Sequence, residues 1–342
     1  MISNITLQKK IILPKTTILR TSVKKLEHKK YESIFGTFKT ELIWTNIMLI
    51  FTLHTLSAII IVSYPWITKF PLVLYAFTIG GIGGFGVTGG AHRYWTHKSF
   101  KAKLPLKLIL LMSYSVAGQN SLKNWVRDHR VHHKFSETSA DPHDSNRGFF
   151  FAHCGWLMMK KHPDVLEKGK VIDCSDLMQD PIIRFHEKYF VLFKLVFCFI
   201  LPTIIPPLLW NESWFWTFCS TAVVRYCLTL NFTWAVNSAA HLWGNKPYAK
   251  NINPSENLTV SIVAMGEGWH NYHHTFPWDY KTSENGRYNL TKNWLDFFYA
   301  IGWAYDMKSP SDELVKKVVE KNGDGSHWQW GMEYPESEDK YN

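Results

Sequence analysis

Apolar residues in this chain gather into four long runs, and the polar stretches between them are of very unequal length. Residues 42–64, 71–91, 190–210 and 215–236 are each close to the roughly 20 residues an α-helix needs to cross about 30 Å of hydrocarbon. The turns 65–70 and 211–214 are short, so the runs pair into two hairpins. The polar stretches on the opposite side are long: everything before residue 42, the segment 92–189, and everything from Asn237 onward. A fifth run, 104–117, is apolar but too short to cross and is broken by Lys107, which predicts a helix lying in the interface; a buried helix of a soluble domain is the alternative. The pattern therefore predicts an all-α protein, with four transmembrane helices in two hairpins and a helical cap on one side.

Charge adds an orientation. Lysine and arginine crowd the long polar stretches and are almost absent from the two short turns. The positive-inside rule then places the long stretches, and both termini, in the cytosol. Lys9, Lys10, Lys15, Arg20, Lys24, Lys25, Lys29, Lys30 and Lys39 all precede the first run. With a formal charge of +10, this suggests anionic lipid or an acidic partner rather than nucleic acid. Mean hydropathy, at -0.15, hides the runs and decides nothing.

Three divisions follow: a basic arm at 1–41, a main domain at 42–305, and a charged tail at 306–342 expected to be mobile at its end. Residues 152–188 are polar, contain Pro163 and Pro181, and fit the cytosolic cap. Residues 1–10 lack the features of a secretory signal, so insertion is expected to rely on the first span. Cys154, Cys174, Cys198, Cys219 and Cys227 show no paired spacing and read as reduced thiols. Asn211 begins a glycosylation sequon, in a turn too near the bilayer for ready use.

Candidate chemistry lies in histidine. Of 16 histidines, nine fall in four clusters: His92 and His97 in HRYWTH; His129, His132 and His133 in HRVHH; His241 in NSAAH; His270, His273 and His274 in HNYHH. All lie on the side assigned to the cytosol from lysine and arginine alone. Residues three and four apart share a helical face, so each three-histidine box is expected to aim its imidazoles at one point. His92 and His97 are five apart, which predicts that the second span unwinds or bends there. Asn237 stands one turn before His241 and could hold a water ligand or a supporting hydrogen bond. His54, His186 and His327 read as ordinary polar residues. Imidazole suits several transition metals, but nine donors exceed one octahedral shell, so a histidine-rich dimetal site is implied. A structural zinc site would use about four ligands, typically with thiolate.

At these residues the chain resembles the membrane-bound acyl-CoA desaturases, with HRYWTH, HRVHH and GEGWHNYHH spaced through four spans. The similarity runs from about Glu41 to Tyr305 and includes DPHDSNRGFFFAH and NSAAHLWG; the wording of GEGWHNYHHTFPWDYKT is most similar to insect members. The resemblance implies a fatty acyl-CoA desaturase of the stearoyl-CoA type in the endoplasmic reticulum membrane. It further implies two iron ions (Fe2+), O2 as co-substrate, and electrons from cytochrome b5 and its reductase.

All nine histidines match the family's ligand positions, and Asn237 its water-mediated one. Gln119, Trp125, Thr233 and Trp234 match residues at the bend of the acyl tunnel. Asn46, Asn120, Arg127, Asp128, Lys160 and Lys161 match contacts to the coenzyme A end, although the family more often has arginine at the position of Lys160. Gly80 and Gly84 match the chain-end pocket, and Gly80 stands where mammalian relatives place a tyrosine. The second span, rich in glycine, is thus expected to leave a deeper or differently closed tunnel.

The regiochemistry expected is delta-9 with a cis double bond, with delta-11 as an alternative. A fatty acyl hydroxylase using the same centre is a second alternative, and a metal transporter or sensor a third. Transport usually places ionisable ligands at mid-membrane, whereas these histidines lie past the span ends. Arg225 and Lys194 do fall inside spans; Lys194 can snorkel to the cytosol, and Arg225 is expected to pair with polar groups or carbonyls inside the bundle.

Overall fold

The structure is a computed structural model that describes residues 40–331, preceded by the backbone of an antiparallel hairpin pairing 31–33 with 36–38. The basic residues of the arm and the end of the tail, 332–342, lie outside the described residues. The chain is mostly helical.

Three helices are long and apolar enough to cross a membrane: Trp44–Ser63 (α1), Phe70–Thr96, and Phe190–Trp210. The outward faces carry the apolar side chains. In α1, Leu49, Phe51 and Val62 are 63%, 66% and 87% exposed, whereas the one buried residue is Ser57. Such an inverted pattern suits lipid, because hydrocarbon solvates leucine and phenylalanine but not a hydroxyl.

The fourth expected span differs. Residues 214–237 are helical without a break, yet Arg225, Asn231 and several hydroxyls keep the helix less apolar than the other three. The reason is packing: this helix buries Thr217, Cys219, Ser220, Thr221, Ala222, Val223, Arg225, Cys227 and Trp234. A helix surrounded by other helices can carry the bundle's polar groups.

The second long helix is regular over Phe70–Phe85 (α2) and then continues as a π-helix over Gly86–Thr96. It packs on Leu104–Ala117 (α3) so closely at Gly86 that a Cβ there would strike the backbone of Ser113 and Tyr114. Glycine is required at this crossing. Helix α3 buries Leu106, Leu110 and Leu111 against α2 and exposes Leu104, Leu108 and Ile109. It is thus apolar on both sides, at a length short of a span.

Two further π-helical segments, Lys194–Ile200 and Phe218–Val224, interrupt the third and fourth long helices. Arg225 follows the second and is 4% exposed. Its guanidinium donates to the carbonyls of Thr221 (2.6 Å), Val116 (3.2 Å) and Cys198 (2.5 Å), which joins three helices. Lys194 Nζ reaches the carbonyl of Gln119 at 3.4 Å.

The tail is more ordered at its start than its charge suggested. Asp312–Asn322 forms a helix that buries Val315 and Val319 on Tyr248, Tyr272 and Phe276. Its apolar residues are few but fall on one face, which is enough to dock it.

Candidate metal centre

The π-helix explains the five-residue spacing of the first box. Its hydrogen bonds run from residue i to i+5, and His97 N donates to His92 O at 3.1 Å. His92 and His97 therefore come round to one side, with ring centroids 4.8 Å apart. The second box lies on Leu122–Phe135 (α4), the third on the short helix His270–Thr275, and His241 on Ala239–Leu242.

All nine histidines meet, but in two groups. One comprises His92, His97, His129, His133 and His273; the other comprises His132, His241, His270 and His274. The expectation that each box aims at a single point is corrected. Successive residues on an α-helix turn by about 100°, so members four apart stay together while the third member faces the neighbouring position. His129 and His133 accordingly share a group and His132 leaves it; His270 and His274 share the other and His273 leaves it.

The Nε2 atoms converge. Contacts of 3.0–3.1 Å link His92 with His273, His273 with His133 and His133 with His129 in one group. In the other, His270 lies 3.0 Å from His241 and 3.1 Å from His274. Burial first, and then neighbouring imidazoles, hold His129, His133, His270, His273 and His274 well below their ordinary pKa. Neutral rings so close cannot all donate to one another, and His97 Nε2 is buried with no partner. A cation answers this arrangement.

Three carboxylates stand behind the rings. His92 Nδ1 lies 2.8 Å from Glu267 Oε2, His132 Nδ1 2.9 Å from Asp141 Oδ1, and His241 Nδ1 2.8 Å from Glu137 Oε1. Each faces the Nδ1 side of a ring, an arrangement that leaves Nε2 turned toward the other histidines. Burial would raise Glu267, but Arg93 and His92 together outweigh it and hold the carboxyl down to about 2. Burial likewise would raise Asp141 and Glu137, but the facing histidines and the hydrogen bonds they accept outweigh it and lower both. Sequence reading passed over all three acids, although Asp141 opens the quoted DPHD string and Glu267 stands in GEGWH. His54, His186 and His327 bond to Asn231, Ser115 and Glu284 instead.

A cavity of about 640 Å³ runs from the histidines between the long helices. His92, His129, His270, Glu267 and Asn237 line one end, and Tyr64 and Trp66 lie in its wall beside the first turn; the remaining lining is largely apolar. Gly80 and Gly84 line it, as do Trp125 and Thr233. A hydrogen-bonded chain joins Trp125 Nε1 to Gln119 Oε1 (2.9 Å) and Gln119 Nε2 to Thr233 Oγ1 (2.8 Å). Gln119 thus stands behind the wall, and Trp234 faces His54 and His153.

Of the polar residues matched to the coenzyme A end, Arg127, Asp128 and Lys161 hold one another and the other three have separate partners. Asp128 pairs with Lys161 and with Arg127, the latter at 3.1 Å. Asn46 donates to Leu157 O at 2.8 Å, and Asn120 O accepts from the Tyr114 hydroxyl. Lys160 pairs with Glu41 at 2.7 Å, apart from that group.

The family model for fatty acid desaturase matches residues 67–304. The acyl-CoA Delta-9 desaturase of Acheta domesticus is 51% identical over 300 residues, covering 86% of this chain and 83% of the relative. The Acyl-CoA Delta(11) desaturase of Trichoplusia ni is 46% identical, covering 94% and 87%. The Acyl-CoA Delta12-desaturase of Acheta domesticus is 47% identical, covering 89% and 86%. With more than half its length under that model and identities well above those at which families blur, this chain belongs to the fatty acid desaturase family.

Proposed function

We propose that this protein is a membrane-bound acyl-CoA desaturase, which removes two hydrogens from a saturated long-chain acyl-CoA and leaves a cis double bond, at delta-9. The observation that carries this reading is the apolar cavity whose polar end is formed by His92, His129, His270 and Asn237. An alkyl chain would be desolvated along its length while one stretch lies at the histidines.

Two iron ions, when bound, would supply the oxygen-activating redox chemistry that zinc lacks. His92, His97, His129, His133 and His273 would hold one, and His132, His241, His270 and His274 the other, with Asn237 contributing through water. Glu267, Asp141 and Glu137 fix the ring orientations. The chain from Trp125 through Gln119 to Thr233 stiffens the cavity wall, and Trp234 braces it from behind. Arg127, Asp128 and Lys161, with Asn46, Asn120 and Lys160, would receive the coenzyme A end, where phosphates favour cationic donors. Cytochrome b5 and its reductase are the electron source in this reading.

The same reading sets four spans, with residues 214–237 as the fourth, in the endoplasmic reticulum. Both termini and the histidines face the cytosol. It retains a basic arm at 1–41, a desaturase domain at 42–305 and a tail at 306–342. Delta-9 is supported by the relative at 51% identity, although delta-11 and delta-12 relatives at 46% and 47% lie near it. A hydroxylase would share the centre but add oxygen to its product.

The test is expression in yeast lacking its own desaturase, feeding of saturated fatty acids of graded length, and location of double bonds by mass spectrometry. Monoenes at carbon nine, lost in His129→Ala, are expected. Hydroxylated products, or none despite iron and reductant, would overturn the reading.

A further inference from the structure

The two histidine groups present the same ring nitrogens, but the charge behind them differs. His92 backs onto Glu267, and Arg93 donates to Glu267 Oε1 from Nη2 at 2.8 Å and from Nε at 3.1 Å. Arg93 is fully buried, so the negative charge behind the five-histidine group is neutralised in place. A second guanidinium, Arg130, donates to the carbonyl of Trp95 at 2.7 Å close by and is itself paired with Asp176.

The four-histidine group is backed by two carboxylates, Asp141 on His132 and Glu137 on His241. Their remaining partners are neutral. Asp141 accepts from the backbone N–H of Glu137 (3.0 Å) and His143 (3.1 Å), and Glu137 accepts from the Ser145 hydroxyl at 2.8 Å. Among the described residues no lysine or arginine pairs with either acid.

We infer that the two ion positions are unequal: the four-histidine position binds a divalent cation more tightly, fills first and empties last, and the five-histidine position is the exchangeable one. This rests on the dimetal reading above. A carboxylate behind a ligating imidazole raises its basicity, and losing such a partner typically costs 10–100-fold in metal affinity, as an order of magnitude. Uncompensated charge in a buried site also attracts a dication directly. The fifth imidazole of the other group opposes this, but a neutral ring there largely replaces a water that would otherwise be bound. Two uncompensated charges outweigh it.

The experiment uses the full chain in detergent, loaded anaerobically with Fe2+ and then mixed with excess chelator, with protein-bound iron followed by mass spectrometry. The wild type is expected to release iron in two phases, one ion per chain in each, with rates at least about 10-fold apart. Glu137→Gln and, separately, Asp141→Asn should each accelerate the slow phase by about 10–100-fold and leave the fast phase within about threefold. Near-ultraviolet circular dichroism identifies a variant that has not folded, and the other variant then decides. Two irons released in a single phase, or a slow phase unchanged in a folded variant, would overturn the inequality alone. Fewer than two irons per wild-type chain would overturn the dimetal reading and the inequality with it. No step depends on turnover.

Discussion

Substituting Gly80 by tyrosine should shorten the acyl chain this protein accepts. Gly80 is buried in the cavity wall, and a Cβ built there would lie 3.3 Å from Thr229 Cγ2 and 3.6 Å from Arg225 Cγ on the facing helix. A ring at that position must extend along the cavity and occupy the space of terminal methylenes. Each methylene that no longer fits forfeits about 0.8 kcal/mol of burial, about fourfold in kcat/KM. For two acyl-CoA substrates that differ by roughly four methylenes, the loss is about 3 kcal/mol, and the long-to-short ratio should fall by about 200-fold. Gly80→Ala introduces only the Cβ, for which Thr229 must give by a few tenths of an ångström; its ratio should move less than about threefold. The assay is competition between the two substrates in microsomes, with products separated by chain length. An unchanged ratio in Gly80→Tyr, with protein and bound iron at wild-type levels, would refute the assignment of this wall as the limit on length.

Gly86→Ala should destabilise the fold by about 1–3 kcal/mol through overpacking, because α3 backbone occupies the Cβ position; an undiminished Tm in detergent would contradict the close crossing. Arg225→Met should cost about 3 kcal/mol or more, since three buried carbonyls lose a charged donor worth about 1.5–3 kcal/mol each before relaxation. Arg225→Lys should restore only part of this, because an ammonium has no fork to reach three helices, and full rescue in the same melt would count against that geometry. Chelation should lower the Tm and Fe2+ should restore it, because an ion that binds only the folded chain stabilises it. Zn2+ should restore the Tm without restoring acyl-CoA-dependent oxygen consumption; oxygen uptake with zinc alone would refute a redox role for the centre.

The apolar runs and histidine boxes were legible because both depend on local sequence alone: hydrocarbon thickness fixes run length, and imidazole is rare enough for nine in four clusters to stand out. What escaped was set by phase and by partners distant in sequence. Treating three and four residues as one face merged His132 with His129 and His133, although the 100° between neighbours is wide enough to serve two ions. The π-helical turn was visible only as an awkward spacing between His92 and His97. Glu137 and Glu267 stand 104 and 175 residues from the histidines they orient, so no spacing rule could find them. Residues 215–236 were read as a span and Arg225 as pairing inside the bundle, but its partners on α3 and the third long helix lie too far off in sequence to be named from it.

The π-helical segment at Phe218–Val224 also sets what kind of mutation this protein can absorb. Thr233 and Asn237, which face the cavity, lie downstream of it on the same continuous helix. A π-helical turn holds one residue more than an α-helical one, so removing one residue from the segment would let it relax to ordinary α-helix, about 1.5 Å shorter, with everything beyond it still in phase, whereas removing one from the regular helix that follows would rotate what lies beyond by about 100°. After such a loss in the regular turn between Arg225 and Thr229, Thr233 would swing away from Gln119, and Asn237 away from the histidines. A lineage carrying this helix can therefore lose a residue at the π-helical segment while being held to a strict residue count in the regular turns beyond it, so length changes among descendants should fall in Phe218–Val224 rather than in Arg225–Asn237.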